Sequence, residues 1–276
     1  MVRFYLRSER AILGTVAVIV FVGFWEGLTR GWWALVLEPA LGDGAARWRI
    51  SPIFLSSPTA IVQTAIRLFA SGDIWNDLRV SGLEFLLGFL LAIVVGIPMG
   101  LAAGWYRRFC FAIEPFLSAL NATPRVALLP LIIIWAGIGI WSKVLIVFLG
   151  AVIPICINAM AGVRTTDARL LRVARSFRAG EGRLFRTIIF PSAVPFILTG
   201  LRLGVGRAMV GVVVGELYAA TAGIGFMITV AGASFQTDKV FVGVVIIACA
   251  GVLMIEALGR LEARFETWRP KVGAAV

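Results

Sequence analysis

The sequence contains no histidine, and only three cysteines and three tyrosines in 276 residues. Without histidine the chain lacks the commonest general base and the commonest metal ligand. Cys110, Cys156 and Cys249 sit in or beside apolar runs, and no two form a CxxC pair. That excludes a disulfide framework and a cysteine metal site, and reads as packing in apolar surroundings. Charge is also scarce. Only 15% of residues are Asp, Glu, Lys or Arg, where a soluble domain carries about 25%. Acid is scarcer than base, 15 against 26, which leaves a formal net charge of +11. No G-x-x-x-x-G-K-[ST] occurs, so nothing in the chain cradles ATP phosphates. No nucleophile–base pair or metal cluster is visible, which argues against an intramembrane enzyme.

What the sequence does have is apolar surface. Sixty per cent of its residues are apolar, and its mean hydropathy is +0.95. A disordered chain would be polar. A nucleic-acid-binding domain could share the basic charge but not this apolar content, so no nucleic-acid partner is expected. A membrane protein satisfies both, provided the positive charge lies on one side.

A helix needs about 20 mostly apolar residues to cross the hydrocarbon core. Six candidates occur: Ala11–Leu28, Leu83–Trp105, Ile113 to Ile138, Lys143–Gly162, Val194 to about Leu217, and Val240–Leu258. The third is interrupted by Asn121, Thr123, Pro124 and Arg125. The fold class read from this is all-α, a polytopic bundle of six transmembrane helices. With the N-terminus inside, segments 1–10, 106–112, 163–190 and 259–276 hold sixteen of the 26 basic residues, and the outer segments hold seven. That bias predicts a multi-pass protein of the plasma membrane with both termini cytoplasmic. The first apolar stretch has a basic start but no small-x-small cleavage site, and Arg30, Trp32 and Trp33 follow as interfacial anchors. It reads as an uncleaved span.

The region 29–82 then lies outside. Within it Ser57-Pro58-Thr59 starts a helical pattern, with Ile61, Val62, Ala65, Ile66, Leu68 and Phe69 at helical spacing, and Gly72 stops it. This helix either lies on the outer membrane surface or packs on the bundle. The chain divides into an N-terminal span with its outer segment, 1–56, and a core of five spans, 57–276.

Small residues matter where lipid gives helices no hydrophobic reason to associate. Gly96, Gly100 and Gly104 recur every four residues, as do Gly200 with Gly204 and Gly211 with Gly215. Ionisable residues inside spans face protein or a water-filled cavity. Arg202 and Arg207 lie about 140° apart around their helix, so they do not share a face. Each is expected to pair with a span glutamate or to line a polar path. Pro98, Pro124, Pro130 and Pro154 each remove a backbone hydrogen bond, which suits a translocation path or an ordinary kinked bundle.

The loop 163–190 carries seven arginines. Thr166-Asp167 is an N-cap pair, and Ala168, Leu171, Ala174 and Phe177 follow at helical spacing. Arg169, Arg172, Arg175 and Arg178 spread over the rest. Gly180 and Gly182 end this helix, and a second short helix, Leu184 to Ile189, runs to Pro191. Such a loop either rests on anionic lipid or docks into a groove on a soluble partner.

The stretch V-A-R-S-F-R-A-G-E-G-R-L-F-R-T-I-I-F-P, residues 173–191, resembles the coupling-loop signature of bacterial ABC importer permeases: E-A-A, three residues, Gly, nine residues, I-x-L-P. Ala174, Ile188 and Pro191 match it. The likeness continues through P-F-I-L-T-G-L-R-L-G-V-G-R-A (195–208), G-E-L (215–217) and G-I-G (223–225). It also holds for P-R-V-A-L-L-P-L-I-I-I-W-A-G-I-G (124–139), S-K-V (142–144) and G-I-P-M-G (96–100). Over residues 57–268 the chain is similar to the nitrate/sulfonate/taurine-type permeases. It departs from the signature at Arg172 for Glu, Val173 for the first Ala and Arg178 for Gly, which displaces the bend toward Gly180. Glu84 stands where an Arg is often found, and the outer segment 38–56 is long.

The resemblance implies a type I ABC importer permease fold. It implies two copies of the chain around a central path, two cytoplasmic ATPase subunits that hold ATP and Mg, and a solute-binding protein outside. This chain itself would bind no cofactor. Asp167, Ala168, Leu171, Arg172, Ala174, Arg175, Phe177, Arg178 and Gly180 would couple the ATPases to the spans. Asn121, Thr123, Arg125, Asn158, Arg202, Arg207 and Glu216 are the candidates for the substrate path, and small, often anionic solutes are implied as cargo. The competing class is a stand-alone secondary transporter or channel, which would carry inverted repeats between its halves.

Overall fold

The computed structural model describes residues 2–32 and 51–265. Of the long outer segment, residues 38–50 lie outside the described residues, as do Arg269 and Lys271. Among the described residues all regular structure is helical. The order is α1 (Val2–Arg30), α2 (Pro58–Ser71), α3 (Ile74–Trp105), α4 (Arg107–Ala122), a 3₁₀ turn (Arg125–Leu128), α5 (Leu129–Ala136) and α6 (Ile140–Arg164). It continues with α7 (Ala168–Ser176), α8 (Glu181–Leu184), a π-turn (Phe185–Ile189), α9 (Phe190–Ala219), α10 (Ile224–Ala233) and α11 (Thr237–Phe265).

Five stretches are long and apolar enough to cross a membrane: Ile12–Arg30, α3, α6, Glu181–Tyr218 and Thr237–Ala263. The third expected span, Ile113 to Ile138, is not one rod. α4 begins earlier, at Arg107, and α4 and the segment Arg125–Ala136 are bent by 98° at Thr123-Pro124. One further expectation is corrected. Leu184 to Ile189 is not a separate helix, because the chain is helical from Glu181 through a π-turn into α9. α10 was not anticipated.

Two compact units emerge. One takes the described residues up to Trp75 together with Met227–Val245; the other takes Asn76–Phe226 with the described residues from Ile246. In the first, Ser57 caps α2 by accepting from the Ala60 N–H at 3.3 Å, and Gly72 ends it with φ +88°. Ile61, Thr64 and Leu68 form its buried face. Thr64 Oγ1 donates to Asp238 at 2.6 Å, and the buried Glu26 of α1 accepts from the Thr59 N–H and Oγ1 at 3.0 and 2.7 Å. α2 therefore packs against neighbouring helices with one face, and leaves Val62 and Ile66 exposed on the other.

The second unit is built around α6, the most buried of the five candidate spans. Its neighbours approach it through small residues. Along α3, Gly88, Ala92, Gly96, Gly100 and Gly104 recur every four residues and so share one face. Cβ atoms built on the four glycines would meet, in order, Val147, Ile155, Cys156 with Ala159, and Val163. Rising numbers meet rising numbers, so α3 and α6 run parallel. Along α9, Gly200 faces Asn158 and Ile155, Gly204 faces Ile155, and Gly211 faces Val147. Here the order reverses, so α9 runs antiparallel to α6. Phe85, Phe89, Val152, Ile153, Val205 and Val212 fill the space between the three.

These contacts generate a test. A Cβ on Gly100 would lie within 2.7 Å of that of Ala159 and closer still to the Cys156 carbonyl. Overpacking of this kind costs about 1–3 kcal/mol. Gly100→Leu is expected to lower the melting temperature and the monodisperse yield of the detergent-solubilised protein. Gly206→Ala, which meets nothing within 4 Å, is expected to leave both unchanged. Equal behaviour of the two variants would contradict the packing.

Candidate functional site

The first candidate region is α7 and its flanks. Asp167 caps α7 by accepting from the Arg169 N–H at 2.7 Å. The expected apolar stripe needs correction. Leu171 turns inward onto the buried cluster that holds Val163, Ile189 and Ala193, and Ala174 is half-buried. Ala168 is exposed. The apolar residues that stand free are Leu170, Val173 and Phe177, spaced i, i+3, i+7 on one face. Phe177 is 83% exposed, an unusual state for a phenylalanine beside an otherwise apolar body. Arg169, Arg172, Arg175 and Arg178 are all exposed around this facet. Arg175 reaches Glu181 at 3.7 Å, an exposed pair that contributes little.

The bend after α7 sits where the signature places it, not at Gly180. Arg178 has φ +55°, whereas Gly180 has an ordinary φ of −69°. The Ala179 N–H bonds to the Ala174 carbonyl at 3.1 Å, and the Arg178 N–H to the Arg175 carbonyl at 2.9 Å. This is a Schellman cap, which glycine normally supplies. An arginine there stores about 1 kcal/mol of backbone strain.

Both flanks of α7 are anchored. Thr165 Oγ1 donates to the Ala161 carbonyl at 2.9 Å, and Thr166 Oγ1 to that of Gly162 at 3.4 Å, so the end of α6 is tied down. On the other side Leu184 and Ile189 are fully buried at the start of the α9 pass. α7 is thus bracketed by two helices that pack on each other.

The second region is the break in the third span. Pro154 in α6 has no N–H, which frees the carbonyl of Gly150 four residues earlier. Arg125 Nη1 lies 3.4 Å from that oxygen. Gly150 also accepts the backbone of α9 closely, since a Cβ there would lie 2.9 Å from the Arg207 carbonyl. The result is a cavity of about 300 Å³ lined by Asn121, Thr123, Arg125, Gly150, Arg207 and Val210, among others. Gly150 is ten residues into α6, about 15 Å along it, in a hydrocarbon core about 30 Å thick. The cavity therefore lies near mid-depth of the span. Non-helical backbone at such depth is tolerated where it lines a cavity.

The remaining path candidates fall elsewhere. Asn158 Nδ2 donates to the Pro154 carbonyl at 2.8 Å, a bond within its own helix. Arg202 pairs with Glu262 at 3.5 Å, and Thr199 Oγ1 donates to the same carboxylate at 3.3 Å. Glu262 lies in segment 259–276, expected inside. Arg207 has no carboxylate within 4.0 Å among the described residues; of its two expected placements, pairing with a span glutamate or lining a polar cavity, it takes the second. Glu216 does not line the arginine cavity. It is buried, and accepts from Ser81 Oγ and from the Gly225 N–H. The Ile224 N–H donates to Ser81 and the Gly223 N–H to Asp77, both at 2.8 Å. Three successive donors at the start of α10 are thereby satisfied. Beside them Lys143 and Glu84 form a buried ion pair at 3.0 Å.

Sequence reading missed the role of Gly150 and the Lys143–Glu84 pair. The first was traceable, because a proline inside a helix always frees the carbonyl at i−4. The second was not, because Lys143 sits at a span end and there resembles an interfacial lysine.

The chain was compared with known proteins. The family described as "Binding-protein-dependent transport system inner membrane component" matches residues 92–267. A Bacillus subtilis protein that carries the name of an aliphatic sulfonates transport permease, SsuC, is 37% identical over 246 residues, 87% of this chain and 88% of that one. The taurine transport system permease protein TauC of Escherichia coli is 32% identical over 271 residues, 96% of this chain and 92% of that one. A solved amino acid ABC transporter with histidines has a TM-score of 0.52 at 21% identity, over 72% of this chain and 97% of that one, which supports the fold. Family membership sets aside the stand-alone transporter. The chain belongs to the binding-protein-dependent transport system inner membrane components, as the multi-pass permease subunit of an ATP-driven importer.

Proposed function

We propose that two copies of this chain form the membrane path of an importer for small sulfonate-type solutes, driven by ATPase subunits that dock on α7. The observation that carries this reading is the free facet of Leu170, Val173 and Phe177 within a ring of arginines. A bare lipid contact would not need an apolar facet set on a short helix and fixed at both ends. A groove on a soluble subunit would, with the apolar residues as anchors and the arginines as a rim. In this reading the helix end at Arg164 faces the cytoplasm, as do both termini. ATP and Mg sit on the ATPases and none on this chain. A solute-binding protein delivers cargo from the other side. The substrate class follows the named activities of the relatives, sulfonates and taurine.

Closure of the ATPases would push α7, and α6 and α9 would carry that push to the cavity at mid-depth. The nucleotide and the loaded binding protein then bias one two-state element from opposite sides.

Phe177→Asp is expected to reduce ATP-driven uptake more than about tenfold in proteoliposomes, by removing a buried anchor, while membrane insertion stays normal. Unchanged uptake would contradict docking at this facet. Loss of uptake only when anionic lipid is omitted would favour the lipid contact instead. Arg178→Gly is a test of the bend alone. Relief of the left-handed strain is expected to stabilise the loop by up to about 1 kcal/mol, read as slower protease cleavage between α7 and α8. Faster cleavage would contradict the Schellman geometry.

A further inference from the structure

Arg125 and Arg207 pose an electrostatic problem that the chain does not solve. Both belong to spans, where an unpaired charge is costly unless it faces protein or water. Every described carboxylate that could reach a span arginine is engaged elsewhere. Glu84 holds Lys143 and Glu216 holds Ser81 and Gly225. Glu262 holds Arg202, Glu256 holds Arg260 and Glu26 holds Arg30. Glu114 lies beside Cys110. No acidic side chain lines the arginine cavity. Both arginines line this one cavity. Arg125 spends one of its five donors on Gly150, and Arg207 has no hydrogen-bonding or ionic partner among the described residues.

From this, and resting on the permease reading above, the geometry points to a resting site inside the membrane path for one small organic oxyanion of the sulfonate class, held between Arg125 and Arg207. The proline-freed carbonyl of Gly150 fixes one guanidinium by a single contact and leaves the rest of its fork open. The second guanidinium approaches from α9. Guanidinium forks match the oxygens of sulfonate and carboxylate groups, and do so most strongly out of bulk water. Asn121 and Thr123, on the broken backbone, add polar groups at the rim. About 300 Å³ admits a headgroup with a short carbon chain and little more. Its mid-depth position keeps it clear of the lipid phosphates, which lie at the membrane surfaces. Selectivity for charge would then reside in this chain as well as in the binding protein.

The test uses the permease–ATPase complex in neutral detergent, without its binding protein. Ethanesulfonate is titrated calorimetrically, with dimethyl sulfone as the uncharged counterpart. Saturable binding of ethanesulfonate and none of dimethyl sulfone is the expected result. Arg207→Gln and Arg125→Gln are each expected to weaken binding by at least about tenfold, as loss of a charge-assisted pair does, with Arg207→Lys intermediate. Arg125 also supports Gly150, so its variant could fail to assemble. Arg207 has no such second duty, and its variant decides the matter. No saturable binding, equal binding of the sulfone, or undiminished binding by Arg207→Gln would overturn the site. ATP-driven uptake by the same preparation, once binding protein is added, keeps the two readings apart. Uptake without ethanesulfonate binding overturns the site and leaves the permease reading standing. Arg207-dependent binding without uptake supports the site and tells against the sulfonate cargo.

Discussion

The structure depends on how closely other helices can approach α6. In lipid, apolar side chains gain nothing by leaving the tails for one another, so association rests on close packing. α6 is held on one side by the row Gly88, Ala92, Gly96, Gly100 and Gly104 of α3, and on another by Gly200, Gly204 and Gly211 of α9. With backbone nearly against backbone, such contacts do not slide by small amounts. They either hold or separate. That makes α3, α6 and α9 one stiff block, and α7 is attached to that block at both its ends.

The same helix also supplies the exception. Pro154 opens the hydrogen-bond ladder of α6 at mid-depth, and the freed oxygen of Gly150 meets Arg125 at the break of the neighbouring pass. A bend of 98° at Thr123-Pro124 would be intolerable against lipid, but it faces a cavity. Rigidity and polarity are therefore combined along a single rod. Its glycine-gripped length is stiff, and its proline turn marks the place where the arginine-lined cavity opens. At the other end of the block the start of α10 is fastened by Asp77, Ser81 and Glu216, next to the buried Lys143–Glu84 pair.

Much of this was legible in the sequence because membrane spans are set by length and hydropathy, which one chain displays openly. The glycine rows were legible for a similar reason: a four-residue period needs no partner to be seen. What stayed hidden depended on partners. The interruption at Asn121–Arg125 announced a break, but nothing local fixes its angle. α10 has ten residues, too few to read as a span. The sequence alone does not choose the free face of α7, because Ala168, Leu171 and Ala174 keep helical spacing as well as Leu170, Val173 and Phe177 do. Only the packing of Leu171 on the buried cluster of Val163, Ile189 and Ala193 tells them apart. Arg178 takes a glycine conformation that its own residue type disfavours, so the displaced bend expected at Gly180 was the natural inference from composition. Arg207 is left without a carboxylate because the glutamates are engaged elsewhere, Glu256 within its own helix and Glu262 and Glu84 across helices.

The central claim is that α7 and the block of α6 and α9 move as one body. It is tested most directly by measuring the distance between spin labels on Ala168 of α7 and Leu203 of α9, both exposed, carried by only one of the two copies, in a background where the exposed Cys249 is replaced by serine. The measurement is made on the assembled importer with and without bound ATP. The account predicts a single narrow distance distribution that does not change with nucleotide. A nucleotide-dependent shift of several ångströms, or a second distance that appears only with ATP, would contradict it.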